Sequence, residues 1–380
     1  MSDRLHSSTT NGIGEPGGVS PRTCDAPTCP GAEVGRLAKT SAQRHRIGQV
    51  FEWLCCGSTW FGLFVLAVLL LTVSWKALTW PVPDADSVTP PDVVSSRPLS
   101  TQFLTSYDSR IPQRAGIKAA LWGSLWLLVF VTLSTVPVGV GAAIYLEEYS
   151  REGRWKRIIQ VNLSNLAGVP SIVYGILGLT VFVRMFGAFG RDGKVLDLNL
   201  GFATFSLPLP FERSVISGAL TLSLLVLPTV IVAAQEALRA VPSSIRSAAC
   251  ALGATQWQTI RHQVLPAAMP GIMTGVILGL SRAMGETAPL IMIGALTYLA
   301  NCPGRIDSVS AAWQHPEGLL QAPFDVFTAL PIQIFNWVSR AQPEYDHLAA
   351  AGILVLLAVL LCMNTAAILI RNRFQRRTSW

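Results

Sequence analysis

The sequence has few charged residues, since Asp, Glu, Lys and Arg make up only 13% of its 380 residues. A soluble domain usually carries about 25%. Hydrophobic residues make up 51% of the chain, and they are clustered in stretches of about 20 residues that contain almost no charge. A helix of that length crosses a lipid bilayer. The composition therefore excludes an ordinary soluble domain and predicts an integral membrane protein.

The sequence also lacks the signatures of several functional classes. Gly193-Lys194 has no glycine upstream at the Walker spacing and no Ser or Thr after it, so the chain is not its own ATPase by that mechanism. The net charge is +7, but the basic residues lie beside the apolar stretches and form no stripe with exposed aromatic residues. We expect a chain that is not an enzyme, with no catalytic residues, no cofactor and no nucleic-acid partner.

The seven cysteines do not form a recognisable metal site or disulfide framework. Cys24 and Cys29 flank a short segment that contains a proline, but no His or second Cys pair completes a metal site. In the topology given below, only Cys302 is clearly outside the cytoplasm. We therefore expect neither a metal ion nor an intrachain disulfide.

Six apolar segments are long enough to span the membrane, so the predicted fold is an all-α polytopic membrane protein. The six predicted spans cover about residues 58–79, 117–145, 158–186, 215–237, 267–299 and 348–370. They make up a transmembrane domain over residues 58–370. Residues 1–46 are rich in Ser, Thr, Gly and Pro and are predicted to be a disordered cytoplasmic tail. Residues 371–380 form a basic cytoplasmic tail.

The distribution of basic residues predicts the orientation of these spans. Lys and Arg are concentrated before the first span, between the second and third, between the fourth and fifth, and after the sixth. The other three loops contain Asp and Glu and fewer basic residues. Because basic loops remain in the cytoplasm, both termini are predicted to be cytoplasmic. A topology of five or seven spans would break this alternation.

The loop between the fourth and fifth spans, residues 240–266, has the pattern of two short helices. Its apolar residues recur on one helix face at Ile245, Ala248, Ala249 and Leu252. Gly253 supplies a left-handed helix end, and Thr255 with Gln258 forms a capping box for a second helix. An apolar face outside the membrane needs a partner, which is either another protein or the lipid surface.

This loop resembles the EAA loop of ABC importer permeases. That motif has the form Glu-Ala-Ala, three residues, Gly, nine residues, Ile, one residue, Leu-Pro. The chain matches it at Ala248, Ala249, Gly253, Leu265 and Pro266, and departs from it at Ser247 and Gln263. The resemblance implies a cytoplasmic coupling loop that docks on an ATPase through Ile245, Ala248, Ala249, Leu252, Gly253 and Pro266.

Four further segments resemble PstA-type permease subunits of bacterial phosphate importers. They are residues 166–175, 282–290, 330–337 and 371–377. The resemblance implies a type I ABC importer permease fold in the bacterial cytoplasmic (inner) membrane and translocation of inorganic phosphate. It also implies a second, PstC-like permease subunit, two copies of an ABC ATPase that binds ATP and Mg, and a periplasmic or lipid-anchored phosphate-binding protein. Membrane lipid surrounds the spans.

Charged residues within the predicted spans are the candidate substrate pathway. Arg282 and Glu286 are four residues apart in the fifth span and share one helix face. An ion pair there lowers the free-energy cost of burying either charge. The planar guanidinium of Arg282 is suited to bidentate contact with the oxygens of a passing phosphate. Glu286 would keep that anion from binding too tightly, and Arg184 adds a second positive charge. The alternative is a structural pair that only locks helix packing.

Two other classes of membrane protein compete with the permease hypothesis. A secondary transporter or channel needs no coupling loop and usually contains internal repeats, which are not evident here. A membrane-anchored scaffold would have no reason to carry Arg282 and Glu286 inside a span. Co-elution of two ATPase chains with the purified complex separates all three hypotheses.

Overall fold

A computed structural model describes residues 31–79, 101–185, 195–199, 204–208, 213–295, 298–299, 301–305 and 316–378. The chain divides into two units, residues 1–68 and residues 69–380. Of the tail predicted to be disordered, residues 1–30 lie outside the described residues, whereas residues 31–46 belong to helix α1, Gly31–Leu78. The structure therefore differs from the sequence prediction over residues 31–46.

Long apolar helices dominate the described part of the chain. Five are long and apolar enough to cross a membrane, and a bent pair of shorter helices raises the number to six. The five are α1, α3 at Lys118–Ile144, α6 at Val215–Arg239, α9 at Leu265–Gly285 and α13 at Glu344–Thr378. The bent pair is α4 at Arg154–Ala167 and α5 at Ser171–Gly178. The prediction of a helical polytopic membrane protein is confirmed.

Short elements connect these helices. Two π-helical turns, called wide turns below, extend α3 over Tyr145–Tyr149 and α5 over Leu179–Met185. A two-stranded antiparallel hairpin, β1 at Val195–Asn199 and β2 at Thr204–Pro208, is an addition to the predicted all-α fold. The remaining short helices are α2 at Thr101–Thr105, α7 at Ser243–Ala251, α8 at Gln256–Thr259, α10 at Ala288–Ile293, α11 at Pro316–Gln321 and α12 at Leu330–Val338.

The third predicted span is not one straight helix. Its residues form α4 and α5, whose axes are bent by 103° at the break between them. Pro170 has an extended backbone at the start of α5, and a proline also disfavours the helical conformation of the residue before it. The apolar composition runs across this break, which is why the sequence pattern alone suggested a continuous span over 158–186.

The fifth predicted span, 267–299, is also interrupted. Helix α9 ends at Gly285, and α10 begins at Ala288 after a break at residues 286–287. Pro289 lies in the first turn of α10. In a continuous helix its ring would clash with the carbonyl of Gly285, four residues earlier, and it offers no N–H for the helical hydrogen bond. The proline therefore explains why the helix restarts here.

Helix α6 lies at the centre of the hydrophobic core, since 67% of its most apolar stretch of 18 residues is buried. It packs against α9 along a seam of small residues. A Cβ atom added to Gly271, Gly275 or Gly279 of α9 would come within 2.7 Å of atoms of α6. Glycines at this spacing allow two helix backbones to approach closely, which is how helices associate when apolar side chains gain nothing over lipid.

The start of α3 is fixed by a buried polar cluster. The Asp108 carboxylate accepts hydrogen bonds from Trp337 Nε1 at 3.1 Å and from Arg340 Nη2 at 3.1 Å. The carbonyl of Ser109 accepts another from the Tyr345 hydroxyl at 3.0 Å. These bonds tie the segment before α3 to α12, to α13 and to the connection between them, at the end of α3 far from residues 240–266.

Candidate functional site

The loop at residues 240–266 has the predicted shape. Helix α7 ends near Leu252, and Gly253 follows with φ of +81°, the left-handed conformation that ends a helix. The Thr255 side chain accepts a hydrogen bond from the Gln258 backbone N–H, and the Gln258 side chain accepts one from the Thr255 N–H. This capping box starts α8, and a wide turn at Ile260–Val264 then leads into α9.

An open groove of about 580 Å³ lies between α7, the wide turn at Ile260–Val264 and the start of α9. Five of the six predicted coupling residues line it, and Gly253 forms the bend beside them. The groove residues are Pro242, Ser244, Ile245, Ala248, Ala249, Leu252, His262, Gln263, Pro266 and Ala267. Leu252 is 90% exposed, so an apolar side chain stands at the edge of a concave apolar surface. Such a surface fits a protein partner.

One ion pair holds this loop to the end of α3. Arg246 Nη2 donates a hydrogen bond of 2.6 Å to Glu148 Oε1, and Arg246 Nε donates one of 3.2 Å to the same oxygen. Two more hydrogen bonds from Arg246 reach the carbonyls of Leu238 and Val241, at 2.9 and 2.8 Å. The guanidinium thus joins α7 both to the last turn of α6 and to α3.

Two further contacts reach the same end of α3. Gln256 Nε2 donates a hydrogen bond of 2.6 Å to the carbonyl of Glu148, and Arg239 Nε pairs with Glu147 Oε2 at 2.9 Å. Sequence reasoning did not select Glu147, Glu148 or Arg246. One signal was available, because two adjacent acidic residues at the end of a predicted span stand out where the following loop is basic.

A third acidic residue in this region is paired locally. A hydrogen bond from Lys156 and the charge of its ammonium hold the pKa of the Glu152 carboxyl below its usual range. The Lys156 side chain is buried and its nitrogen lies 2.7 Å from Glu152 Oε1. The pair joins the first turn of α4 to the segment just before it.

The predicted pair of Arg282 and Glu286 is present, with Arg282 Nε 3.3 Å from Glu286 Oε1. Its position differs from the prediction. Arg282 lies in the last turn of α9 and Glu286 at the break that follows, instead of in the middle of a continuous helix. The Arg282 side chain is 41% exposed, whereas its neighbours Ala283 and Met284 point into the core. The guanidinium therefore faces the outer surface of this chain.

Arg184 lies in the wide turn that follows α5 and is exposed. Within the described residues it forms no ion pair with Glu286, so the structure does not join the three predicted pathway residues into one cluster. The same residues contain no group of three or more His, Cys, Asp or Glu side chains placed to bind a metal ion.

Comparisons with known proteins agree with this architecture. Residues 135–380 match the family described as binding-protein-dependent transport system inner membrane component. The chain is 29% identical over 273 residues to the probable ABC transporter permease protein YqgI of Bacillus subtilis, covering 71% of this chain and 82% of the relative. It is 30% identical over 266 residues to the phosphate transport system permease protein PstA of Haemophilus influenzae, covering 70% and 79%.

Among solved structures, the chain resembles a bacterial alginate ABC transporter in complex with an alginate pentasaccharide-bound periplasmic protein. The TM-score is 0.53 at 15% identity, with 88% of this chain and 96% of that chain covered. At this identity the likeness concerns the fold alone, which is that of type I ABC importer permeases. Fold, apolar helices and family match agree that this is a multi-pass inner-membrane protein and a transport subunit, not an enzyme. The chain belongs to the family of inner-membrane components of binding-protein-dependent transport systems.

Proposed function

We propose that this chain is the permease subunit of an ATP-driven importer that translocates inorganic phosphate across the cytoplasmic membrane. The observation that carries the proposal is the match to relatives named as phosphate transport system permeases, at 30% identity over 266 residues. The groove at residues 240–266 supports the ATP-driven part, since it presents an apolar surface at one end of the spans, where a soluble partner can dock.

The partner at that groove is an ABC ATPase, present in two copies, which binds ATP and Mg. Leu252 and Ile245 supply the apolar contact, and Gly253 sets the angle between the two short helices. This arrangement explains why the chain has no nucleotide-binding motif of its own. The loop and both termini are then cytoplasmic, in agreement with the basic residues around them.

The transport pathway lies at the surface of this chain, not inside it. Arg282 faces outward, and its single hydrogen bond among the described residues comes from Nε. Its two Nη nitrogens are then available to phosphate oxygens, which a guanidinium can contact in bidentate fashion. Glu286 limits how tightly the anion is held, and Arg184 contributes a second positive charge.

A pathway at the surface needs a second wall. We assign that wall to a different, PstC-like permease subunit, with the remaining apolar surface in contact with membrane lipid. A periplasmic or lipid-anchored phosphate-binding protein delivers the ion at the end that carries Asp108. Crosslinking of single-cysteine variants tests the pairing, since a product made only of this chain contradicts a heterodimer.

The test of the function is reconstitution of the complex in vesicles, with the binding protein and labelled phosphate on the side opposite the ATPase. We expect ATP-dependent phosphate accumulation, with sulfate and molybdate as the competing oxyanions. Accumulation of sulfate or molybdate in place of phosphate would reject phosphate as the substrate but would still support an ATP-driven importer. Uptake that needs no ATP, or a complex that never contains an ATPase, would reject the proposal altogether.

A further inference from the structure

Two ion pairs of different character reach the end of α3, one from Arg246 of the coupling loop and one from Arg239, the last residue of α6. In the pair of Arg246 and Glu148, the side chains are 26% and 9% exposed. In the pair of Arg239 and Glu147, they are 52% and 16% exposed. Water screens an exposed pair strongly, and such a pair adds little rigidity. The less exposed pair is therefore the stronger of the two, and it is the one that connects the loop to α3.

The hydrogen bonds of Arg246 make that connection directional. A guanidinium has five N–H donors in a fixed planar fork. Arg246 donates from all three of its guanidinium nitrogens, and the three acceptor groups are the Glu148 carboxylate, the Leu238 carbonyl and the Val241 carbonyl. The Leu238 carbonyl lies in the last turn of α6, and the Val241 carbonyl lies two residues beyond its end. A lysine, with one ammonium group, cannot reproduce this planar arrangement.

The acceptor is placed by an irregular piece of helix. Glu148 lies in the wide turn Tyr145–Tyr149, after which the backbone becomes extended at Ser150. Its carbonyl is held as well, since it accepts the hydrogen bond from Gln256 of α8. The side chain of Glu148 thus binds α7 while its backbone binds α8, so both short helices of the coupling loop are attached at one residue of α3.

We propose that Arg246 and Glu148 are the positioning residues that transmit movement of the coupling loop to α3. When the partner ATPase displaces α7, the guanidinium moves the end of α3 and the end of α6 together, because one rigid group is bonded to both. Neither residue lines the groove, so neither is needed to form the docking surface. This inference rests on the proposed function, since it requires an ATPase at the groove.

The test compares three variants in the reconstituted full complex. Arg246→Lys keeps the charge but removes the planar fork, and Glu148→Gln keeps the shape but removes the charge. Glu147→Gln is the matched control, because Glu147 is the residue just before Glu148 and pairs with the exposed Arg239. The readout is the number of phosphate ions transported per ATP hydrolysed, measured beside the amount of ATPase that co-purifies.

We expect the variants Arg246→Lys and Glu148→Gln to bind the ATPase and to hydrolyse ATP. They should transport about tenfold less phosphate per ATP, a factor within the usual range for coupling between two sites. Glu147→Gln should retain the original ratio. An unchanged ratio in the first two variants overturns the inference, and so does loss of the bound ATPase, which would make the pair part of the docking surface. If the unmodified complex shows no ATP-driven uptake, the proposed function fails instead.

Discussion

Gly175 of α5 lies directly against Pro289 of α10, so that a Cβ atom on the glycine would be 2.7 Å from the Pro289 Cα. The residues belong to the two predicted spans that the structure shows to be broken. Each break leaves a short helix that is stabilised by packing, and these two short helices pack on one another. The contact between backbones at Gly175 therefore holds both interruptions in place.

The first prediction follows from this contact. Gly175→Ala places a methyl group where backbone atoms of Pro289 cannot easily move, and overpacking of this kind destabilises by about 1–3 kcal/mol. We expect a lower midpoint of thermal unfolding for the detergent-purified complex. Gly141→Ala is the control, because a Cβ at Gly141 meets nothing within 4 Å. Equal midpoints for the two variants would show that α5 moves away from α10 freely.

The second prediction concerns the bend of the coupling loop. Gly253 has φ of +81° and open space around it, so a substitution there is opposed by the backbone conformation alone. Gly253→Val should impair ATP-driven uptake while membrane insertion survives, because a β-branched residue resists the left-handed conformation. Gly253→Asn should retain most uptake, since Asn tolerates that conformation. Full uptake by the valine variant would mean that the bend is not needed for coupling.

A third prediction separates the two roles of Arg282. In the double variant Arg282→Glu with Glu286→Arg, a structural ion pair is restored with reversed polarity. A positioned phosphate contact is not restored, because the arginine is moved to the break after α9. We expect normal assembly and a loss of phosphate uptake. If the double variant assembles and transports at the original rate, the pair only locks helix packing.

The fourth prediction uses a native cysteine. Cys250 is exposed on α7, next to the groove residue Ala249. In a variant that retains Cys250 as its only cysteine, a maleimide should label the isolated subunit and label the complex with bound ATPase much more slowly. Equal labelling rates would place the ATPase elsewhere on the chain. Reaction with a membrane-impermeant maleimide from the periplasmic side would contradict a cytoplasmic loop.

Local features of the site could be predicted because they depend on neighbouring residues. The left-handed Gly253 and the capping box of Thr255 and Gln258 each follow from a few residues in sequence, and both are confirmed. Helix α6, Val215–Arg239, agrees with the predicted span 215–237 within two residues, since its ends are marked by polar residues.

Features that depend on distant contacts could not be predicted in the same way. Glu148 and Arg246 are 98 residues apart, and only the fold brings them together. The bend between α4 and α5 was hidden by the apolar residues on both sides of it. The position of Arg282 was predicted within a span, but its place in the last turn of α9 depends on the helix ending before Pro289.

The helical stretch Gln256–Gly285 carries the coupling loop at one end and Arg282 near the other, and the glycine seam with α6 lies between them. At a rise of about 1.5 Å per residue, Gly275 is about 29 Å from Gln256 and about 10 Å from Arg282. A tilt of about 5° around Gly275 would then move the loop by about 2.5 Å and Arg282 by about 0.9 Å. If the ATPase and the phosphate bind where we propose, the stretch is an unequal lever, which would convert a large displacement at the coupling loop into a small, opposite one at Arg282.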